Sequence, residues 1–236
     1  MDVFCRQEIK YLITAQQRQA LETEFAKHMK PDRFAHSSIR NIYYDTPDFR
    51  LIRHSLEHPV YKEKIRLRCY GNSSTEAFLE MKKKYKGIVY KRRLTLSQQQ
   101  AQAFMAGQGT IPDTQIGREL TYFRDFYRDL RPQVFLSYER DSWFGVEDPG
   151  LRITMDEQIR YRVTDLDQLQ QPDGEEILEP GLSLMEVKAE NAIPLWLTAL
   201  LAKLQIQKTS FSKYGRAYER QLQRKMNEKR GYLYVG

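Results

Sequence analysis

Apolar and charged residues alternate along six short segments of this chain: Glu8-Ile9-Lys10, Lys64-Ile65-Arg66-Leu67-Arg68, Glu80-Met81-Lys82-Lys83-Lys84, Tyr138-Glu139-Arg140, Arg152-Ile153-Thr154 and Glu186-Val187-Lys188. A period of two is that of a β-strand, whose side chains point to opposite faces in turn. Arg66 and Arg68 therefore share a face, as do Glu80, Lys82 and Lys84, and Glu186 and Lys188. Ile65, Leu67, Leu79, Met81, Met185 and Val187 take the other. Around these segments the pattern predicts strands over 3–13, 40–45, 63–71, 76–85, 88–96, 133–145, 151–155, 158–164 and 182–189. Helices are expected over 15–29 behind a Thr14 cap, 98–106 behind Ser97, 114–130 and 193–204. Asp45-Thr46-Pro47-Asp48 and Gly71-Asn72-Ser73-Ser74 carry turn signals, and Gln170 to Pro180 reads as an acidic loop. The segment from Arg216 to Lys229 reads as a solvated, charged helix. The fold class expected is α+β, an antiparallel sheet curled or closed around a charged interior, with helices packed on its apolar outer face.

One strand with a charged face is an ordinary surface strand. Six with mostly positive charge suggest a wall built for a polyanion. Like charges about 7 Å apart on one strand face repel by roughly 2 kcal/mol at an effective dielectric near 20. Phosphate oxygens relieve that repulsion, since Arg binds them bidentately and Lys as a point charge. A set of solvated outer faces is the alternative.

Composition narrows the partner without naming it. The chain has 236 residues, is 41% hydrophobic and 29% charged, and carries a formal net charge of +7, which suits a folded protein with an acidic ligand, nucleic acid or anionic surface as partner. Cys5 and Cys69 lie opposite the charged positions of their strands and read as small buried hydrophobes, with no metal-site spacing. No run approaches the roughly 20 apolar residues of a membrane span, and the first residues lack the order of a signal peptide. A soluble cytoplasmic protein is expected. His28, His36, His54 and His58 show no ligand spacing, Tyr43-Tyr44 reads as core, and Trp196 as helix packing. No helix-turn-helix, RNP-type or zinc motif is present, so no nucleic-acid partner is expected.

Taken in order, several of these pieces resemble the VTC domain, the polyphosphate polymerase module of vacuolar transporter chaperone complexes, within the triphosphate tunnel metalloenzyme (CYTH-like) superfamily. They run from Arg6-Gln7-Glu8-Ile9-Lys10-Tyr11 through Ile42-Tyr43-Tyr44-Asp45-Thr46, Ile65 to Gly71, Leu79-Glu80-Met81-Lys82 and Gly87 to Arg93. Tyr138-Glu139-Arg140, Leu151 to Thr154, Met185 to Lys188 and Ser212-Lys213-Tyr214 complete the set. The resemblance implies one tunnel domain over residues 1–236, with a charged C-terminal helix or tail over about 216–236. It also implies a phosphate cage of Lys10, Arg66, Arg68, Lys82, Arg140 and Arg152. Lys84, Lys91, Tyr138, Lys188, Ser212 and Lys213 would assist, and Glu186 would hold Mn²⁺ or Mg²⁺. The run Lys91-Arg92-Arg93 leaves the inward position open by one residue.

The implied activity is transfer of the ATP γ-phosphate to a growing inorganic polyphosphate chain. ATP and pyrophosphate or polyphosphate would be the partners. The superfamily's first strand reads Glu-x-Glu-x-Lys, and here Arg6 stands at its first position, which weakens metal chelation and argues against a simple tripolyphosphatase. The regulatory SPX domain and the membrane helices of the vacuolar complex are absent from this sequence, and any membrane partner is unknown. A hydrolase of inorganic or nucleoside triphosphate, and a non-catalytic polyphosphate-binding module, are the alternatives.

Overall fold

In a computed structural model, residues 7–71, 76–166, 169, 171–190 and 192–232 are described, with only the backbone at Gln7 and 228–232. Cys5, Arg6, the Asn72-Ser73-Ser74 part of the expected turn, Gln170 and the last four residues lie outside these. The fold is α+β. Its strands are β1 (Gln7–Thr14), β2 (Met29–Asp45), β3 (Tyr61–Tyr70), β4 (Glu76–Tyr85), β5 (Ile88–Ser97), β6 (Arg131–Gly145), β7 (Arg152–Arg162), β8 (Glu175–Glu176), β9 (Leu182–Ala189) and β10 (Lys208–Thr209). The helices are α1 (Ala15–His28), α2 (Arg50–Leu56), α3 (Gln98–Met105), α4 (Gln115–Tyr127), α5 (Leu195–Lys203) and α6 (Lys213–Tyr232). The strands bond in the order β10-β1-β9-β7-β6-β2-β3-β4-β5, with β8 on β7. Pairings β1–β10, β1–β9, β7–β9, β7–β8, β3–β4 and β4–β5 are antiparallel.

Residues cluster into two compact units. The first comprises 1–39, 138–159 and 178–211, and the second 40–137, 160–177 and 212–236. The first buries Ile13, Leu21, Phe25, Ile153, Met155, Met185, Val187 and Leu197. The second buries Ile42, Ile65, Leu67, Cys69, Leu79, Met81, Phe104, Leu120 and Phe135. In each, the uncharged parity of the strands meets the apolar side of the helices, so one alternation supplies both a core and a charged face.

Local chemistry sets the helix starts. Thr14 and Gln17 form a reciprocal capping box at α1, with bonds of 3.2 and 2.9 Å. Ser97 and Gln100 repeat it at α3, and Thr114 caps α4 through Gly117 N. A side chain at Gly117 would place Cβ 2.0 Å from Pro112 O, so the close approach demands glycine there. Lys86 and Gly87, both at positive φ, make the two-residue turn between β4 and β5.

Four expectations change. β2 begins at Met29 rather than 40, because its first half is exposed and lacks the apolar alternation that marks a strand. The two strands expected at 151–155 and 158–164 are one, β7, in which Gln158 at φ 48° interrupts the alternation. Helix α2 follows the Asp45 turn: the Asp45 carboxylate accepts Leu51 N at 2.8 Å and Ile52 N at 3.0 Å, supplying the cap that Phe49 cannot. The charged C-terminal helix begins at Lys213 and packs one side, burying Tyr214, Ala217 and Tyr218. Cys69 is buried as expected, and burial pushes its thiol up to about 11. Among the described residues, no helix is long and apolar enough to cross a membrane.

Candidate active site

On the charged face of the second unit, β3, β4 and β5 line up residue against residue. Lys64, Lys82 and Lys91 occupy one cross-strand row, and Arg66, Glu80 and Arg93 the next. Lys62 and Lys84 pair in a third. Directly opposed side chains of antiparallel strands start about 5 Å apart, and like charges there are destabilising. Burial, with the Lys84 charge, lowers the Lys62 pKa.

Glu80 is the anion at the centre of the arginine row. Arg66 Nε donates to Glu80 Oε2 at 2.8 Å and Arg93 Nε to Oε1 at 2.7 Å, with Arg68 Nε at 3.7 Å. Burial alone would raise the Glu80 carboxyl, but the Arg66, Arg68 and Arg93 guanidiniums overcome it and hold it down at about 2. Arg66 also donates to Tyr43 Oη at 2.9 Å, and Arg68 to Asn41 Oδ1 at 2.9 Å. Tyr70 Oη accepts from Arg68 and Arg93, and burial, which would raise its pKa, loses to these charges. A cavity of about 250 Å³ opens among Tyr43, Lys64, Arg66, Lys82, Lys91 and Arg93. Ser212, at the start of α6, accepts from Lys64 Nζ at 3.0 Å and from Gly215 N at 3.1 Å. Lys213 is the first residue of that helix.

The first unit has its own charged face. Lys10, Glu186 and Thr154 form one row across β1, β9 and β7, and Glu8, Lys188 and Arg152 the next. Glu186 is 7% exposed, with Lys10 Nζ at 3.4 Å, Arg140 at 3.6 Å and Lys188 at 3.7 Å. Lys10 also donates to Phe211 O at 2.9 Å. Arg140 grips the buried Asp156 with two bonds of 2.6 and 2.7 Å and lies 5.3 Å over the Tyr138 ring. Burial would lower the Arg140 pKa, but Asp156, Tyr138 and Glu186 raise it. Burial lowers that of Lys188, against the pull of Glu186 and with the push of Arg140. Arg152 is half-exposed and bonded to Asp32.

No cluster of three or more His, Cys, Asp or Glu suited to a metal occurs among the described residues. The donors about Glu186 are nonetheless those a hard cation takes. Glu8 stands one row away, and the buried Thr154 Oγ1, directly across from Glu186, has no hydrogen-bond partner among the described residues. Mg²⁺ and Mn²⁺ accept one or two carboxylates and complete their shell with water and substrate phosphate. Glu186 with Thr154 beside it fits that pattern.

Of the residues expected from sequence, Arg66, Arg68, Lys82, Lys84 and Lys91 share one face of the second unit, and Lys10, Glu186, Lys188, Arg140, Tyr138 and Arg152 lie in the first. In Lys91-Arg92-Arg93, all three residues line the cavity, and the register separates them by strand face. Lys91 and Arg93 oppose Lys82 and Glu80, while Arg92 opposes Met81 and bonds Glu119 of α4 at 2.8 Å. Sequence reasoning missed Lys64, Arg93 and Tyr43, and gave no role to Glu80, Thr154 or Asp156. Parity alone could have found Lys64 and Arg93, two residues from Arg66 and Lys91. Tyr43 is buried, as expected of core, yet its hydroxyl serves Arg66 and its ring stacks on Tyr214 at 4.6 Å.

Solved structures of similar fold support the architecture. A protein from Bacillus halodurans named as a candidate adenylate cyclase matches with a TM-score of 0.55 and 16% identity, covering 88% of this chain and 95% of that one. A protein from Hippeastrum, named for adenylyl cyclase and described as revealing a dominant triphosphatase activity, matches with a TM-score of 0.54 and 16% identity, covering 89% and 94%. At such identity the likeness speaks for the fold alone. No curated protein sequence matches the chain. The sequence model of the VTC domain matches residues 5–221, nearly the whole length, and the chain belongs to the VTC domain family.

Proposed function

We propose that this chain, acting as one domain over residues 1–236, is an ATP-dependent polyphosphate polymerase of the cytoplasm. The observation that carries the reading is the row Lys64–Lys82–Lys91 beside the row Arg66–Glu80–Arg93. Five cations held in register on one rigid sheet face suit a repeating phosphate chain better than a single small anion. The VTC domain match and the triphosphatase described for the Hippeastrum neighbour support phosphoryl transfer or hydrolysis as the broader class.

In this reading Arg66, Arg68, Lys82, Lys84 and Lys91 of the second unit hold phosphate oxygens, and Lys10, Arg140, Arg152 and Lys188 are the phosphate-binding cations of the first. Tyr138 meets the base or a phosphate, and Ser212 and Lys213 assist at the start of α6. Glu186, with Thr154 beside it, would hold Mn²⁺ or Mg²⁺, which supplies charge neutralisation on the phosphates. An oxygen of the acceptor chain attacks the γ-phosphorus in line. The new P–O bond forms as the bond from the γ-phosphorus to the bridging oxygen breaks, and ADP departs with that electron pair. The transition state spreads charge over phosphoryl oxygens, so positioned cations perform the catalysis and no nucleophilic side chain is required.

The test is incubation of purified protein with γ-labelled ATP and Mn²⁺, with and without pyrophosphate, and resolution of the products by gel. A ladder of labelled chains with matching ADP release is expected. Free phosphate without a ladder would replace the reading with a triphosphate hydrolase. Polyphosphate binding without turnover would replace it with a binding module.

A further inference from the structure

A second cavity in the second unit, of about 560 Å³, shares no lining residue with the one at Arg66. Its volume lies within the roughly 300–1,000 Å³ of ligand pockets. It opens on the other side of β3 and β4, since Tyr61, Glu63 and Lys83 have the parity of Ile65, Leu67 and Met81 rather than of Arg66 and Lys82. That side is otherwise the apolar core. Here it holds a carboxylate: Glu63 is 8% exposed, accepts from Tyr127 Oη at 2.8 Å and from Tyr61 Oη, and has Lys83 Nζ at 3.8 Å. A buried charge at the margin of a core is costly unless hydrogen bonds and a countercharge offset its desolvation. Glu63 fixes the two tyrosines that form the floor.

The walls combine ring faces with cations. Tyr122 and Phe126 on α4 stack at 6.1 Å and stay 67% and 53% exposed, so the ring surface is open. Arg50 lies over the Phe126 and Tyr127 rings at 6.0 and 5.4 Å. Arg53, which bonds Asp48 at 2.6 Å, and Lys83 line the same cavity. A bare phosphate chain has no use for the rings, and an apolar ligand has none for the cations. A planar aromatic group bearing phosphates uses both.

We propose that this cavity binds a nucleoside phosphate, its base against Tyr122 and Phe126 and its phosphates on Arg53 and Lys83, apart from the phosphate-gripping face. The inference stands whether or not the chain polymerises phosphate.

Equilibrium titration with N-methylanthraniloyl-ADP, on the full chain saturated with long-chain polyphosphate, tests it. Saturable binding is expected to persist, to be displaced by ADP and not by tripolyphosphate. Tyr122→Ala and Phe126→Ala should each weaken it by about tenfold or more, the scale of one base–aromatic stack. Both rings are exposed, so the melting curve should not move, and Arg118→Ala should leave binding intact. Loss of all nucleotide binding in polyphosphate, or binding indifferent to both ring substitutions, would overturn the proposal. Failure of polyphosphate itself to bind would instead count against the polymerase reading, and the nucleotide titration would still report on this cavity.

Discussion

Glu80 and Arg66 stand directly opposite each other on β4 and β3, and the Arg66 guanidinium donates to the Glu80 carboxylate at 2.8 Å. Arg93 approaches the same carboxylate from β5 and Arg68 from β3. Glu80 thus holds three guanidiniums in position, in the manner a phosphate would. Glu80→Gln should destabilise the protein by about 3 kcal/mol, the scale for removing one partner of a buried ion pair. Tripolyphosphate should recover much of that loss, giving the variant a larger rise in melting temperature than the parent. Equal rises in the two proteins would sink this role for Glu80.

Acid should reach the same residue. The Glu80 carboxyl is held at about 2, against an ordinary value of 4.5. A depressed acid contributes stability that is complete above its unfolded pKa and lost as pH falls through the folded one. Its contribution, on the order of 3 kcal/mol, should therefore fade between about pH 4.5 and about pH 2. Urea unfolding of parent and Glu80→Gln across that window should show the steeper loss in the parent. Parallel curves would contradict it.

Glu186→Gln keeps the shape and removes the charge that three cations surround at 3.4 to 3.7 Å. Metal-dependent turnover should vanish while polyphosphate binding holds or tightens, since the net positive charge of that face rises. Activity and binding are measured separately, and surviving metal-dependent activity would remove Glu186 from the metal site.

Arg66→Ala should lower turnover about a hundredfold, the scale of losing one positioned transition-state donor. Arg152→Ala should follow in the same direction. Arg118, 65% exposed and paired only with Asp113 in the described contacts, is the control and should change little. Arg220 is a poorer control than its charged helix suggests, because it donates to Ile177 O at 3.0 Å. Equal losses at Arg66 and Arg118 would undermine the assigned face.

Asp45 joins three backbone amides, of Thr46, Leu51 and Ile52, to the Tyr214 hydroxyl at 2.9 Å. Asp45→Ala should cost about 3 kcal/mol, because several buried donors lose their acceptor together. Denaturant midpoints measure this, and a change under about 0.5 kcal/mol, the scale of an ordinary surface substitution, would refute the account.

Much of the fold was legible because alternation is a local property. Ile65, Leu67, Leu79 and Met81 declare their face by spacing alone, and the capping residues Thr14 and Ser97 mark their helices. The same parity assigned Arg66, Arg68, Lys82 and Glu186 to a charged face before any pairing was known. What the one-dimensional pattern lacks is register. The meeting of Lys64 with Lys82 and Lys91, the choice of Arg93 over Arg92, and the convergence of three arginines on Glu80 depend on which residues oppose each other across strands. Helix α2 was hidden because its cap, Asp45, acts from six residues before Leu51 rather than from the N-cap position, and a single positive φ at Gln158 breaks the alternation of β7. Which side of each strand is charged was therefore determined by the sequence by itself, since side-chain direction follows from position along one chain. Which charges become neighbours was decided only by the tertiary structure, since Coulomb energy depends on distances that strand pairing sets.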